Sequence, residues 1–312
     1  MKRILLDHVI CPACLPRERP LQEEIVEERQ EDILEGNLSC ASCGAFYPIR
    51  DGIAFLDPSA PAQGRPVSKY ETESVLASYL WSHFGDLFDD GEASTAYSQW
   101  AAQQQPHSGL CLDAGSAVGR FAFEMSSKAD FTIGLDNSVA FIKAARELML
   151  NRRKTVTLPE EGTLTREIEL ELPERFDSRS VEFIVGDAQA LPFASDSLGS
   201  LASLNMLDKV SQPLRHMAEI NRTAASAGSQ CLISDPFSWS EHTAKQENWL
   251  GGKPHGPFSG RGLDNVSSLL EGNGGFLEPV WTIEDSGFVW WKIRTHCNHF
   301  ELIRSCYIKA RR

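Results

Sequence analysis

Residues 110–121 read LCLDAGSAVGRF: an apolar run ending in an acid, two glycines, then apolar positions Val118, Phe121, Ala122 and Met125 at helical spacing. The pattern predicts a strand entering a tight turn that opens a helix. Chains use such turns to hold phosphates, dinucleotides or other nucleotide-derived cofactors, and spacing separates these possibilities. A Walker loop requires GxxxxGK followed by Ser or Thr, but only three residues separate Gly115 from Gly119, and Arg120 follows. A dinucleotide fingerprint requires GxGxxG, yet Asp113 stands two before Gly115 and Gly119 falls one residue late. An acid at the strand end also repels a pyrophosphate. A cofactor with a cationic amino-acid portion and no phosphate suits the loop better. The plain alternative is a structural turn between strand and helix.

Three later strands decide between these. FTIGLD ends in Asp136, 23 residues after Asp113, where a carboxylate can accept both hydroxyls of a ribose. VEFIVGDAQALPF ends its strand in Asp187, followed by Ala188; LGSLASLNML ends in Asn205. An acid at a strand end can simply cap the next helix. The ordered series at successive strand ends instead points to one cofactor crevice. With these residues in place, Asp113-x-Gly115-x-x-x-Gly119 resembles the first motif of class I S-adenosylmethionine-dependent methyltransferases. The resemblance implies an α/β, Rossmann-like seven-stranded class I methyltransferase fold. It also implies S-adenosylmethionine as cofactor. Asp113, Gly115, Ser116 and Gly119 would then surround its methionine portion, with Asp136 and Asn137 at the ribose. Asp187 and the Ala188 amide would meet the adenine, and Asn205 would stand where methyl donor and acceptor come together.

The flanks complete that domain over residues 70–312. YETESVLASYLWSHFGDLF predicts a leading helix, SQPLRHMAEINRTAASAG another, and SQCLISDP a fifth strand. VWWKIRT and FELIRSCYIKARR suit an antiparallel closing pair. The alternation in TREIELELP predicts a hairpin insertion at about 151–180.

Upstream, Cys11-Pro-Ala-Cys14 and Cys40-Ala-Ser-Cys43 form two CxxC knuckles separated by 25 residues, whose polar sequence suits an exposed hairpin or short helix. Four thiolates can surround one tetrahedral zinc ion and leave it no open position, so a structural Zn2+ is expected. Together with YPIRDGI, the second knuckle resembles the zinc-ribbon family that includes the activator subunit of several eukaryotic and archaeal methyltransferases. That implies an N-terminal zinc ribbon over 1–57 and hints at a methyltransferase partner, here on the same chain. DPSAPAQGRPVS supplies a linker over 58–69. Metal loss is expected to unfold the ribbon while the larger domain still binds cofactor.

The formal net charge of −13 argues against nucleic acid as the main partner, because phosphate contacts call for a basic surplus. The apolar run before Asp7 is too short for a signal peptide, and no segment approaches a membrane span. With reduced thiols besides, a cytoplasmic protein is expected.

Acceptor choice is expected from the segment after strand five, a substrate lid over about 235–262 that contains DPFSWSEHTAKQENWLGG. This stretch, with YLWSHFGDL, GLDNS and LNMLDKV, resembles the methyltransferase domain of ovothiol biosynthesis, which methylates a ring nitrogen of 4-mercaptohistidine. Ser116 and Lys209 depart from that family's usual Cys and Arg. The resemblance implies a small polar acceptor, imidazole- or thiol-like, with His83, Trp239 and Trp249 as candidate acceptor contacts. Asn205, Asp208, Tyr70 and Glu247 are the candidate catalytic groups. Two alternatives are an RNA methyltransferase docking rRNA or tRNA through the ribbon, and a non-catalytic cofactor-binding partner protein.

Overall fold

The computed structural model describes residues 1–58, 68–88 and 90–312. The central part of the expected linker, residues 59–67, lies outside them. The chain begins with β1 (Gln22–Arg29), β2 (Asp32–Ser39), β3 (Phe46–Arg50) and β4 (Ile53–Leu56). The segment between the CxxC pairs is thus a hairpin, β1 against β2. Helices α1 (Glu73–Phe84) and α2 (Ala96–Gln103) follow, then β5 (Leu110–Ala114), α3 (Arg120–Met125), β6 (Phe131–Asp136) and α4 (Val139–Asn151). Next come β7 (Arg153–Glu161), β8 (Leu164–Glu171), β9 (Val181–Gly186), β10 (Leu198–Leu204) and α5 (Pro213–Thr223). The chain closes with β11 (Gln230–Asp235), α6 (Gly262–Leu270), β12 (Thr282–His296) and β13 (His299–Arg311).

Strands β5, β9 and β11 are buried along their whole length, as parallel strands covered on both faces must be. The order β9-β6-β5-β10-β11-β13-β12 gives the seven-stranded class I methyltransferase sheet. Neighbours from β9 through β11 are parallel, whereas β13 runs antiparallel to both β11 and β12. The strand order reverses between β5 and β10, and a ligand crevice opens at the carboxyl ends of strands beside such a reversal. Among the described residues, β7 and β8 pair only with each other. Their inward Val156, Leu158 and Leu170 join Trp81 and Phe84 of α1 in one apolar cluster.

The ribbon does not hang from this sheet as a separate bead. β4 pairs in parallel with β9, Phe55 opposite Val185 and Leu56 opposite Gly186, so β1 to β4 extend the sheet to eleven strands. Ribbon residues Leu5, Ile33 and Leu38 share one buried cluster with Leu191 and Phe193 of the larger domain. A buried ionic cluster spans the same seam. Arg146 of α4 lies 2.5 Å from Glu182 of β9 and 2.5 Å from Asp32 of β2. The turn between β3 and β4 makes room for it: a Cβ on Gly52 (φ +74°) would sit 2.3 Å from the guanidinium. These contacts weigh against an independent ribbon, because its strands complete another unit's core.

Candidate functional site

The turn after β5 is shaped by its glycines. Gly115 (φ +83°) packs so close to Met206 that a Cβ would meet its Sδ at 2.2 Å, and at Gly119 (φ +88°) a Cβ would meet the Phe183 ring at 2.5 Å. The amides of Gly115 and Ser116 both donate to the Leu135 carbonyl, tying the turn to β6. Asp136, at the end of β6, accepts from the Ala117 amide at 2.9 Å and the Ser138 amide at 2.8 Å. Each carboxylate oxygen keeps a further lone pair for a ligand. Burial pushes Asp136 up to about 6 against those two amide bonds, and the Glu71 charge adds to the rise.

Beside this turn lies a cavity of about 570 Å³, within the roughly 300–1,000 Å³ usual for small-molecule sites. Gly115, Asp136, Asn137, Asp187 and Ala188 line it from the strand ends. Asn205, Tyr70 and His83 line it as well. Asn205 holds a left-handed backbone (φ +58°), and its Oδ1 accepts from Ser305 at 2.5 Å. A non-glycine residue in that conformation stores strain, as residues around binding sites often do.

Other candidates stand away from the cavity wall. Asp113 is 1% exposed behind the loop, its Oδ2 unpartnered, and burial followed by the Asp136 charge pushes it up to about 8. The Ser116 hydroxyl, also buried, has no partner either. Gly119 serves packing against Phe183. Asp208 is buried, accepts from the Ser238 amide at 2.9 Å and faces Lys209 at 2.9 Å. Glu247 points outward, 73% exposed. Trp239 and Trp249 stack on each other at 6.2 Å, and the Trp249 indole donates to the Ala244 carbonyl at 2.9 Å. The segment expected as a lid reaches the cavity through Pro236, Ser238 and Thr243 instead.

Sequence reasoning missed the opposite wall. Tyr79 of α1, Tyr97 of α2, and Trp291, Ile293 and Ile303 of the closing strands line it. One signal was available: in β12, inward Val289 and Trp291 alternate with outward Phe288 and Trp290. His83 sits in this wall with its Nε2 2.6 Å from the Tyr97 hydroxyl.

The four ribbon cysteines converge. Their sulfurs all lie within 4.8 Å of one another, with Cys11 and Cys43 at 3.6 Å and Cys14 and Cys40 at 3.7 Å. Four thiolates at about 2.3 Å from a tetrahedral zinc ion stand about 3.8 Å apart, so the donor set fits that metal. Among the described residues no helix is long and apolar enough to cross a membrane.

Comparison with known proteins agrees with this architecture. Residues 112–232 match the family model described as a methyltransferase domain, and residues 2–52 match that of Trm112p-like protein. Among curated proteins no relative matches the chain. Solved structures with a similar course include a complex containing the Haloferax volcanii Trm112 methyltransferase activator, at 11% identity. That likeness covers 79% of this chain and 98% of the other, with a TM-score of 0.48. YcgJ of Bacillus subtilis shows 13% identity over 69% of this chain and 97% of its own, with a TM-score of 0.45. An S-adenosylmethionine-dependent methyltransferase of Aquifex aeolicus shows 14% over 73% and 96%, with a TM-score of 0.42.

Proposed function

We propose that this methyltransferase moves a methyl group from S-adenosylmethionine to a small polar metabolite, at an imidazole-like nitrogen or a thiol. The observation that carries the reading is the cavity itself: strand-end acids on one wall, aromatic side chains from α1, α2 and β12 on the other. A site walled on both sides admits a small acceptor more readily than a folded macromolecule. Among the described residues, Lys69 and Lys209 bring cationic side chains to its lining, and Lys209 faces Asp208. A phosphate backbone would find little there to neutralise it.

The residues present fit the cofactor. Gly115 and Asp136 line the cavity at the turn, and behind it the Asp113 Oδ2 and the Ser116 hydroxyl are buried without partners. When bound, S-adenosylmethionine supplies an electrophilic methyl group on a positively charged sulfur. Asp136, with Asn137 beside it, accepts the ribose hydroxyls. Asp187 and the Ala188 amide address the adenine, while the Gly115 turn with Ser116 and Asp113 behind it receives the methionine end. Asn205 and Tyr70 border the point of transfer. Asp208 positions Lys209 and Ser238 from behind the wall. Catalysis then consists chiefly of alignment and exclusion of water. In the ribbon, Cys11, Cys14, Cys40 and Cys43 would hold zinc as a structural ion.

The Trm112p-like match favours one second reading, an RNA or protein acceptor recruited through the ribbon. Incubation with methyl-labelled S-adenosylmethionine and fractionated lysate separates the two. Label in the small-molecule fraction supports the proposal, whereas label confined to RNA or protein refutes it.

A further inference from the structure

The short turn Lys69–Glu71, just before α1, reaches across the fold to α4. Two hydroxyls bracket it: Ser68 accepts from the Tyr70 amide at 3.3 Å, and Thr72 accepts from the Val75 amide of α1 at 3.4 Å. Between them the Glu71 carboxylate accepts from the Val139 amide at 2.9 Å and the Ala140 amide at 3.0 Å, one oxygen to each. Those amides open α4, where no carbonyl of the helix itself can reach them. The next amide, Phe141, donates to the Ser138 hydroxyl at 3.2 Å, and that hydroxyl donates to the Tyr70 carbonyl at 3.1 Å. Side chain and main chain of one turn thus grip the first turn of α4. The grip joins two parts of the cavity lining, Lys69 and Tyr70 from the turn, Asp136 and Asn137 from the end of β6. The Tyr70 ring packs against Tyr79 of α1 at 6.0 Å and Phe141 of α4 at 5.9 Å.

We propose that Glu71 is a positioning residue for the cofactor: it latches the Lys69–Tyr70 turn to α4, and the latched turn closes the cavity over the ligand held at Asp136. The inference rests on the cofactor reading above. Glu71 touches neither methyl donor nor acceptor and acts through Tyr70. Bonds from amides to a carboxylate are about twice as strong as neutral ones, and here two of them join residues 68 and 69 positions apart in sequence. A plain cap needs no such reach, and Ser138 already caps α4. The arrangement also sets a negative charge near a ligand-binding acid, where it adds to the rise of the Asp136 carboxyl. The titratable groups around Asp136 are Glu71 of the turn, Asp113 of β5, Tyr79 of α1 and Tyr97 of α2. Burial drives both tyrosine hydroxyls upward and lifts Asp113 to about 8, so near pH 6 Glu71 is the anion that acts on Asp136. A ligand that binds the closed cavity loses affinity in proportion to the fraction of molecules whose turn stands open.

The test titrates the full chain with S-adenosylhomocysteine, comparing the unsubstituted protein with Glu71→Ala and Glu71→Gln. Glu71→Ala should raise Kd about 10-fold or more, with most of the change in the dissociation rate. Glu71→Gln keeps one carbonyl oxygen for the two amides but loses the charge, so at about pH 8 its Kd should rise about threefold. Its acid limb should move as well. Without the neighbouring charge the Asp136 carboxyl ionises more readily, so binding should decline at a lower pH than the value of about 6 set in the unsubstituted protein. A residue that merely capped α4 would lower Tm, leave Kd and the dissociation rate within about twofold in both variants, and leave the acid limb in place; that result overturns the proposal. Amide hydrogen exchange reads the latch without ligand. Val139 and Ala140 should be protected in the unsubstituted protein and exchange about 10-fold faster in Glu71→Ala, and absence of protection in the unsubstituted protein also overturns the proposal. If Glu71→Ala fails to fold, Glu71→Gln decides. If the unsubstituted protein fails to bind S-adenosylhomocysteine, the cofactor reading falls and the latch with it. If it binds and both variants bind alike, the latch alone falls.

Discussion

Replacing Arg146 by Met should weaken the whole molecule by coupling ribbon and catalytic domain through one lost charge. The guanidinium is 3% exposed and reaches Glu182, itself fully buried, at 2.5 Å and both Asp32 oxygens at 2.6 and 2.5 Å. Methionine keeps most of the stem and strands the Glu182 charge. Breaking a buried pair from one side costs about 3–5 kcal/mol. Lys2, whose amide donates to Glu182 at 2.5 Å, and the Met1 ammonium 4.0 Å away still compensate part of it. The lower figure, about 3 kcal/mol, is therefore expected, and at roughly 2 °C per kcal/mol in a chain of this size the Tm falls by about 6 °C. Burial alone would raise the Glu182 carboxyl, but Arg146, the Met1 ammonium and Lys2 override it and hold it at about 2. This depressed value has a defined signature. The stabilisation is complete above the ordinary value of 4.5 and is lost as pH falls from there toward about 2, where the unfolded chain binds the extra proton. The variant should show a flatter acid limb over that window. Thermal unfolding followed by far-ultraviolet circular dichroism at several pH values reads both effects. An unchanged Tm together with an unchanged acid limb would refute the reasoning.

Freshly purified protein should carry about one zinc per chain by metal analysis, and Cys40→Ser should lose it. Because β4 borders β9 and Arg146 of α4 bridges Glu182 to Asp32 of the ribbon, chelation should also weaken S-adenosylhomocysteine binding in calorimetry. Intact affinity after metal loss would restore the independent ribbon. Asp136→Ala should weaken that binding by about 1.5–3 kcal/mol through lost charge-assisted bonds, and unchanged affinity would leave Asp136 as a helix cap alone. Since burial raises this carboxyl to about 6, affinity in the unsubstituted protein should decline as pH falls through that value and the acid becomes protonated. Trp249→Ala should cost stability, with about 0.5–1.5 kcal/mol from the lost stacking on Trp239, and leave cofactor affinity unchanged.

The strand-end wall was legible because its logic is local. An apolar run ending in an acid or amide places that residue at the mouth of a parallel sheet, and Asp136, Asp187 and Asn205 line the cavity accordingly. Asp113 carries the same signature yet stands one residue before the end of β5 and is buried behind the loop. Tyr79, Tyr97 and Trp291 come from α1, α2 and β12, and their meeting depends on how two helices cross the closing strands. The pairing of ribbon and sheet left a fainter trace. IAFL in β4 is almost wholly buried, a run suited to an interior strand covered on both sides, whereas a free ribbon edge would carry polar alternation. The tryptophans of the segment after β11, acceptor contacts by resemblance, stand outside the cavity lining and stack on each other.

The central claim is that this cavity passes a methyl group to a small acceptor. The most direct measurement gives the protein methyl-tritiated S-adenosylmethionine with separated small-molecule, RNA and protein fractions, at about 50 and about 200 mM salt. The account predicts label in the small-molecule fraction, with rates nearly equal at both salt concentrations. Label found only in RNA or protein, and falling steeply at the higher salt, would contradict it.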